Sequence, residues 1–170
     1  MNGQCYRSAA MEEPIAVRSM TPGDLEDVGR MAALLVRYHH EVDPKRFLLV
    51  QGVEQGYRRY FQSQLGDERT VLLVATLGER CVGYAYARLE PRDWNALLDA
   101  HGALHDIYVD PAARRAGVAT SLLDEVRRRL AAAGAPRIVL STMVQNEAAQ
   151  RLFERHGFRR TMIEMTEELP

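Results

Sequence analysis

The chain reads as a mixed α/β domain. Its expected sheet is mostly antiparallel, with one parallel pair of strands and helices on both faces. Three observations predict this. Apolar residues alternate between a spacing of two and a spacing of three to four, so strands and amphipathic helices succeed one another. Two strand-like runs, VLLVATL and CVGYAYARLE, flank a tight turn at Gly78 and Glu79, which pairs them antiparallel. A single helical run separates the strand ending near Val109 from the one starting at Arg137, and a lone crossover helix favours parallel pairing. A length of 170 residues, 46% of them hydrophobic and 26% charged, suits one domain with a substantial core.

Residues 1–13 are expected to form a flexible leader, and residues 14–168 a single domain. The leader MNGQCYRSAA lacks the apolar stretch of a signal peptide. Ile15 to Arg18 reads as a short strand. A helix follows in TPGDLEDVGRMAALLVRYHH, capped by Thr21 or Asp24 and striped by Leu25, Val28, Met31 or Ala32, Leu35 and Val36. A second helix is expected over Val53 to Leu65, with Tyr57, Tyr60 and Phe61 on one side as helix core. After the hairpin, EPRDWNALLDAHG is a connection that holds Trp94. ALHDIYVD then alternates as a strand and stops at Asp110 and Pro111. A helix spans about Gly117 to Ala133, with Val118, Leu122, Val126 and Leu130 on one face, and Gly134 and Pro136 end it. RIVLSTM, from Arg137 to Met143, is the next strand. Asn146 caps a short helix through about His156. The last strand is expected over Phe158 to Met165.

The composition excludes several classes. A net charge of -1 argues against a nucleic-acid binder, which usually carries a basic footprint. No apolar run approaches the ~18 residues of a membrane span, so a cytoplasmic location is the default expectation. Cys5 and Cys81 build neither a disulfide framework nor a metal site. Yet Arg114, Arg115, Arg127, Arg128 and Arg129 lie close together, which suits a small anionic ligand.

The segment Arg114 to Ala119, RRAGVA, lies between a strand and a helix. A pyrophosphate needs several converging N–H donors, and a helix N-terminus supplies them together with its dipole. Ala116, Gly117 and Ala119 are small enough for close backbone approach. Arg114 and Arg115 can add charge-assisted contacts. The segment matches neither GxxxxGK[ST] nor GxGxxG.

With its flanks, LHDIYVDPAARRAGVATSLL resembles the acetyl-CoA motif of the GCN5-related N-acetyltransferase family. Arg114, Gly117 and Ala119 hold the places of the signature [QR]xxGx[GA]. The later run NEAAQRLFERHGF is similar to a second family signature through Asn146, Ala149, Leu152, Gly157 and Phe158. The resemblance covers about residues 14 to 165. It implies a sheet whose fourth and fifth strands splay apart around the pantetheine arm of acetyl-CoA.

Carried over, the arm would run along Ile107, Tyr108 and Val109, with main-chain contacts from Ile107 and Val109. The pyrophosphate would sit on Arg114, Arg115, Ala116, Gly117, Val118 and Ala119, with Thr120 just inside the helix. Asn146, Ala149 and Phe153 would complete the cofactor side. Asn146 also suits simple helix capping. The implied reaction is direct attack of a small-molecule or peptide amine on the thioester, which needs a base.

His105 is the first candidate base, since strand alternation puts it on the side of Ile107 and Val109, with Asp106 pointing away. Glu90 is the second. The family's acid is a tyrosine at the position of Phe153, which carries no proton. Unaided thiolate departure, a water, Tyr84 or Tyr86 are the open replacements. A non-catalytic acyl-CoA sensor is the rival reading. Tyr38, His39, His40, Glu41, Asp43 and Trp94 are expected to border the acceptor groove. Members of the family often dimerise, so a second copy is an expected partner.

Overall fold

The computed structural model describes residues 14–169, so the expected leader, with Cys5, lies outside the described residues. β1 (Ile15–Ser19) leads into a single 3-10 turn and then α1 (Leu25–Val42). The entry is tied by charge. Both oxygens of Asp24 accept from the Arg18 guanidinium at 2.7 Å, and Asp24 also accepts the Thr21 N–H at 2.8 Å. The Arg18 guanidinium beside it therefore holds the Asp24 carboxyl down at about 2. α1 buries Leu25, Val28, Met31 and Ala32, as its stripe requires.

α2 (Val53–Gln64) buries Phe61 against the same core. β2 (Thr70–Leu77) and β3 (Arg80–Glu90) form the expected hairpin. β4 (His101–Val109), α3 (Val118–Ala132), β5 (Ile138–Leu140) and α4 (Glu147–Arg155) follow. The sheet order is β1-β2-β3-β4-β5. Its first three junctions are antiparallel, and β4 pairs β5 in parallel.

The sheet is buried on both faces. Leu73, Val82, Leu104, Val109, Leu122, Val126, Leu130 and Phe153 form one layer, under α3 and α4. Val28, Met31, Phe61, Val74, Tyr84 and Tyr108 form the other, under α1 and α2. Cys81 lies in this second layer, where burial pushes its thiol up to about 11. No helix among the described residues is long and apolar enough to cross a membrane.

Two expected strands are corrected. The strand expected over Arg137 to Met143 keeps only Ile138–Leu140 in the sheet. Beyond Leu140 the chain turns toward α4. The Gln150 side-chain amide donates to the carbonyls of Met143 and Val144 at 2.9 Å each, and Asn146 N–H donates to Met143 O at 3.0 Å. The strand expected over Phe158 to Met165 does not form. A three-residue β5 is too short an edge to template a neighbour. Ion pairs instead tie the segment to the α1–α2 loop, Arg46 with Glu164 and Lys45 with Glu168.

Candidate active site

The opening between β4 and β5 begins where their pairing ends. The parallel ladder runs Gly102 to Ile138, Ala103 to Val139 and Leu104 to Leu140, and goes no further. From His105 to Val109 one edge of β4 is therefore free. The backbone phase along that edge is fixed from its far end. Asp110 N–H donates to Val82 O at 2.9 Å, so the backbone groups of Tyr108 face β3 and those of Ile107 and Val109 face the opening. The Val109 carbonyl points there, since Arg114 Nε donates to it at 3.1 Å. Ile107 and Val109 thus present main-chain groups to the opening. The main-chain groups of Tyr108 face β3 instead.

The Arg114–Ala119 segment closes the end of this opening. Arg115 has φ 66 and Gly117 φ 90, both left-handed. An arginine there costs roughly 1–2 kcal/mol, the kind of strain that gathers at functional sites. Gly117 is the N-cap of α3 and brings no side chain to it. The first helical bond is Ser121 N–H to Gly117 O at 3.0 Å. The amides of Val118, Ala119 and Thr120 therefore have no backbone acceptor among the described residues. A Cβ built on Gly117 would meet only the tip of Ile15, at 3.8 Å, so the space before these amides is open. Ala116 lies exposed beside them. Three amides without a partner among the described residues, a helix dipole and two arginines suit a pyrophosphate in their chemistry.

α4 flanks the opening from the other side. Asn146 Oδ1 accepts Ala149 N–H at 3.1 Å, so its capping role is real. Phe153 is buried and meets Phe158 edge-on at 5.8 Å.

The other face of β4 holds a group of titratable side chains, and here the expected strand alternation is corrected. Leu104 pairs with Ala87, but Asp106 pairs with Tyr86, so the register slips by one residue at His105. This β-bulge puts two successive side chains on one face. Leu104, Ile107 and Val109 keep the α3 face. His105 and Asp106 both turn to the α1–α2 face: the His105 ring stacks on Tyr86 at 4.9 Å, and Asp106 Oδ2 accepts from the Tyr84 hydroxyl at 3.2 Å. Simple alternation had separated these two residues and grouped His105 with Ile107 and Val109.

The bulge assembles a polar cluster. His105 Nε2 lies 2.9 Å from Glu90 Oε1. A carboxylate only accepts, so Nε2 carries the proton and neutral His105 keeps Nδ1 as a free lone pair. Asp106 is partly covered at the residue level, yet its carboxyl sits deep among tyrosines. Burial pushes it above its ordinary value of 3.8, while the Tyr84 hydroxyl and His105 pull it back. The Tyr57 hydroxyl is pushed up to about 12, first by burial and then by the Asp106 charge. Tyr84 and Tyr86 are raised too, chiefly by burial. Tyr60 and Tyr86 share a hydroxyl contact of 2.6 Å, so the α2 stripe is only partly core, and Tyr60 stands 42% exposed.

Asp106 and Tyr60 are the residues that sequence reasoning missed. A signal existed: apolar positions 104, 107 and 109 are spaced three and then two, and two polar residues fill the longer gap. The remaining expected groove residues play local parts. His40 Nδ1 contacts Phe47 O at 2.8 Å, His39 stacks on Phe47 at 4.9 Å, and Asp43 Oδ1 accepts the amides of Lys45 and Arg46 at 3.2 and 3.1 Å. These bonds close the α1–α2 loop. Trp94 is exposed and carries the Arg92 guanidinium over its ring at 5.0 Å.

Comparison with known proteins agrees with this fold. The family model described as "Acetyltransferase (GNAT) family" matches residues 33–158, and the chain belongs to that family. The chain is 24% identical over 154 residues to N-alpha-acetyltransferase 30 of Homo sapiens, covering 89% of this chain and 42% of that protein. It is 26% identical over 126 residues to N-alpha-acetyltransferase 30 of Xenopus laevis, covering 72% of this chain and 45% of that protein. It thus spans less than half the length of these curated relatives. Among solved structures it is similar to a transcriptional regulator from Bacillus halodurans C-125, with a TM-score of 0.70, 24% identity, and 92% of this chain and 100% of that chain covered. It is also similar to the aminoglycoside N-acetyltransferase AAC(6')-Iy in complex with CoA, with a TM-score of 0.71, 18% identity, and 92% and 95% covered. At such identities the structural likeness is one of fold.

Proposed function

We propose that this GNAT family member transfers the acetyl group of acetyl-CoA to a primary amine by direct attack. One observation carries the reading. The β4–β5 opening ends on three unpaired helix amides, and an imidazole with a free lone pair stands on the bulge at its head.

The amides of Val118, Ala119 and Thr120 receive the pyrophosphate, and Arg114 and Arg115 neutralise its rim. Ile107 and Val109 hold the pantetheine arm through their main chain. Acetyl-CoA, when bound, supplies a thioester carbonyl open to attack. His105 Nδ1 takes the proton of the incoming amine, because a protonated amine is no nucleophile. Glu90 positions His105 by fixing its tautomer. The Asp106 carboxyl, among Tyr57, Tyr84 and Tyr86, receives a cationic amine before it loses that proton. A main-chain N–H on the free edge of β4, nearer the bulge, is the candidate oxyanion donor. Phe153 has no proton for the departing thiolate.

The test is thiol release from acetyl-CoA across a panel of small amines and free N-terminal peptides. Release with at least one amine, abolished by blocking that amine, is expected. The absence of a hydroxyl at Phe153 favours one rival, a CoA-binding module without turnover. That rival predicts tight acetyl-CoA binding and no release with any amine.

A further inference from the structure

We infer, on the reading of His105 as the base, that Tyr86 is a positioning residue. Its ring fixes the plane of the His105 imidazole, and with it the direction of the Nδ1 lone pair.

His105 stands at the least restrained point of β4. The bulge leaves it without a partner on β3, and the ladder to β5 has stopped at Leu104. Its side chain is 40% exposed. Glu90 alone does not hold such a ring. Nε2, which meets Glu90 at 2.9 Å, lies close to the Cβ–Cγ axis. A bond at that atom resists rotation about the axis only weakly. Nδ1 lies further from the axis and swings as the ring turns. Proton transfer needs the lone pair held in line with the proton that it takes. A flat wall against the ring face supplies the missing restraint.

Tyr86 is that wall. Its ring meets the imidazole at 4.9 Å with an interplanar angle of 23°, a stacked arrangement that aromatic rings favour when offset. The wall is itself held. Tyr86 is buried, Phe61 meets it edge-on at 5.5 Å, and Tyr60 meets it edge-on at 5.8 Å. The Tyr60 and Tyr86 hydroxyls lie 2.6 Å apart. Both neighbours come from α2. A helix thus sets the plane of a β4 side chain through one residue of β3. The same contacts remove Tyr86 as an acid for the departing thiolate. Its hydroxyl is engaged with Tyr60, and burial pushes it above its ordinary value of 10.

Proton NMR of the histidine rings, with steady-state kinetics, tests this on the full chain. In the unaltered chain the His105 ring protons should resonate upfield of those of an exposed histidine, because a stacked tyrosine shields them. The signal that disappears in His105→Ala identifies them. Ring protons at exposed-histidine positions overturn the inference without any substitution at Tyr86. Tyr86→Leu removes the face. The upfield displacement should then vanish, and kcat should fall about five- to tenfold with KM for acetyl-CoA kept. Tyr86→Phe keeps the face and should restore the displacement, with kcat within about twofold of the unaltered chain. Equal losses in the two variants would give the role to the hydroxyl and overturn the inference. Unchanged ring signals in Tyr86→Leu overturn it as well, and so does full kcat there while His105→Ala is slow. Full rate in His105→Ala removes the base instead. The ring signals of Tyr86→Leu then still decide whether Tyr86 holds the imidazole.

Discussion

The two faces reached from β4 present different kinds of group. The end that meets α3 offers backbone: the edge of Ile107 and Val109 and the open amides of Val118 to Thr120. The face toward α1 and α2 offers side chains drawn from α2, β3 and β4, namely Tyr57, Tyr60, Tyr84, Tyr86, Glu90, His105 and Asp106. Backbone recognition constrains conformation, so it demands particular small residues in sequence order. Side-chain recognition constrains only where elements meet, so its residues are scattered and exchangeable.

The largest effect should come from breaking the backbone side. Gly117→Val puts a β-branched residue at φ 90 and a side chain before the amides. Calorimetric titration should show acetyl-CoA affinity falling at least 100-fold, and unchanged affinity would remove the cradle. Next comes the side-chain face. His105→Ala should lower kcat by about 10²- to 10³-fold with KM for acetyl-CoA kept, and Glu90→Gln by about tenfold. If steady-state kinetics show His105→Ala near full rate while Asp106→Asn is dead, Asp106 is the base.

Asp106 sharpens the comparison through stability. Burial raises its folded pKa above the ordinary 3.8, so folding favours the protonated form. Stability is therefore lost as pH rises from 3.8 through the raised folded value. Asp106→Asn should raise the melting temperature by a few degrees at neutral pH, and the gain should vanish below about pH 4. An equal gain at all pH values would mean that ionisation is not the cause. The smallest effect is expected of Phe153→Tyr. If the thiolate leaves unaided, turnover should change by less than about threefold. A large increase would mean that the missing proton limits the reaction.

The legibility of the sequence followed the same division. The helices from Leu25 and from Val118 were readable from their apolar stripes, and the turn into α3 from Gly117 and its small neighbours. The parallel pair followed from one crossover helix. The polar face was not readable, because a strict period of two put His105 and Asp106 on opposite sides. The final strand was misread for a related reason. Strand-forming residues from Phe158 to Met165 state a preference, but a strand also needs an edge, and the chain leaves the sheet after Leu140.

The bulge at His105 has a consequence for how this molecule can change. Leu104 before it and Ile107 after it both stay in phase with the α3 core. The inserted position therefore adds a polar side chain without displacing any core residue. Residue 105, which is exposed, can be exchanged for other acids, bases or neutral groups with little repacking beneath it. The charge and proton chemistry of that face can thus change by a single substitution, at low risk to the fold.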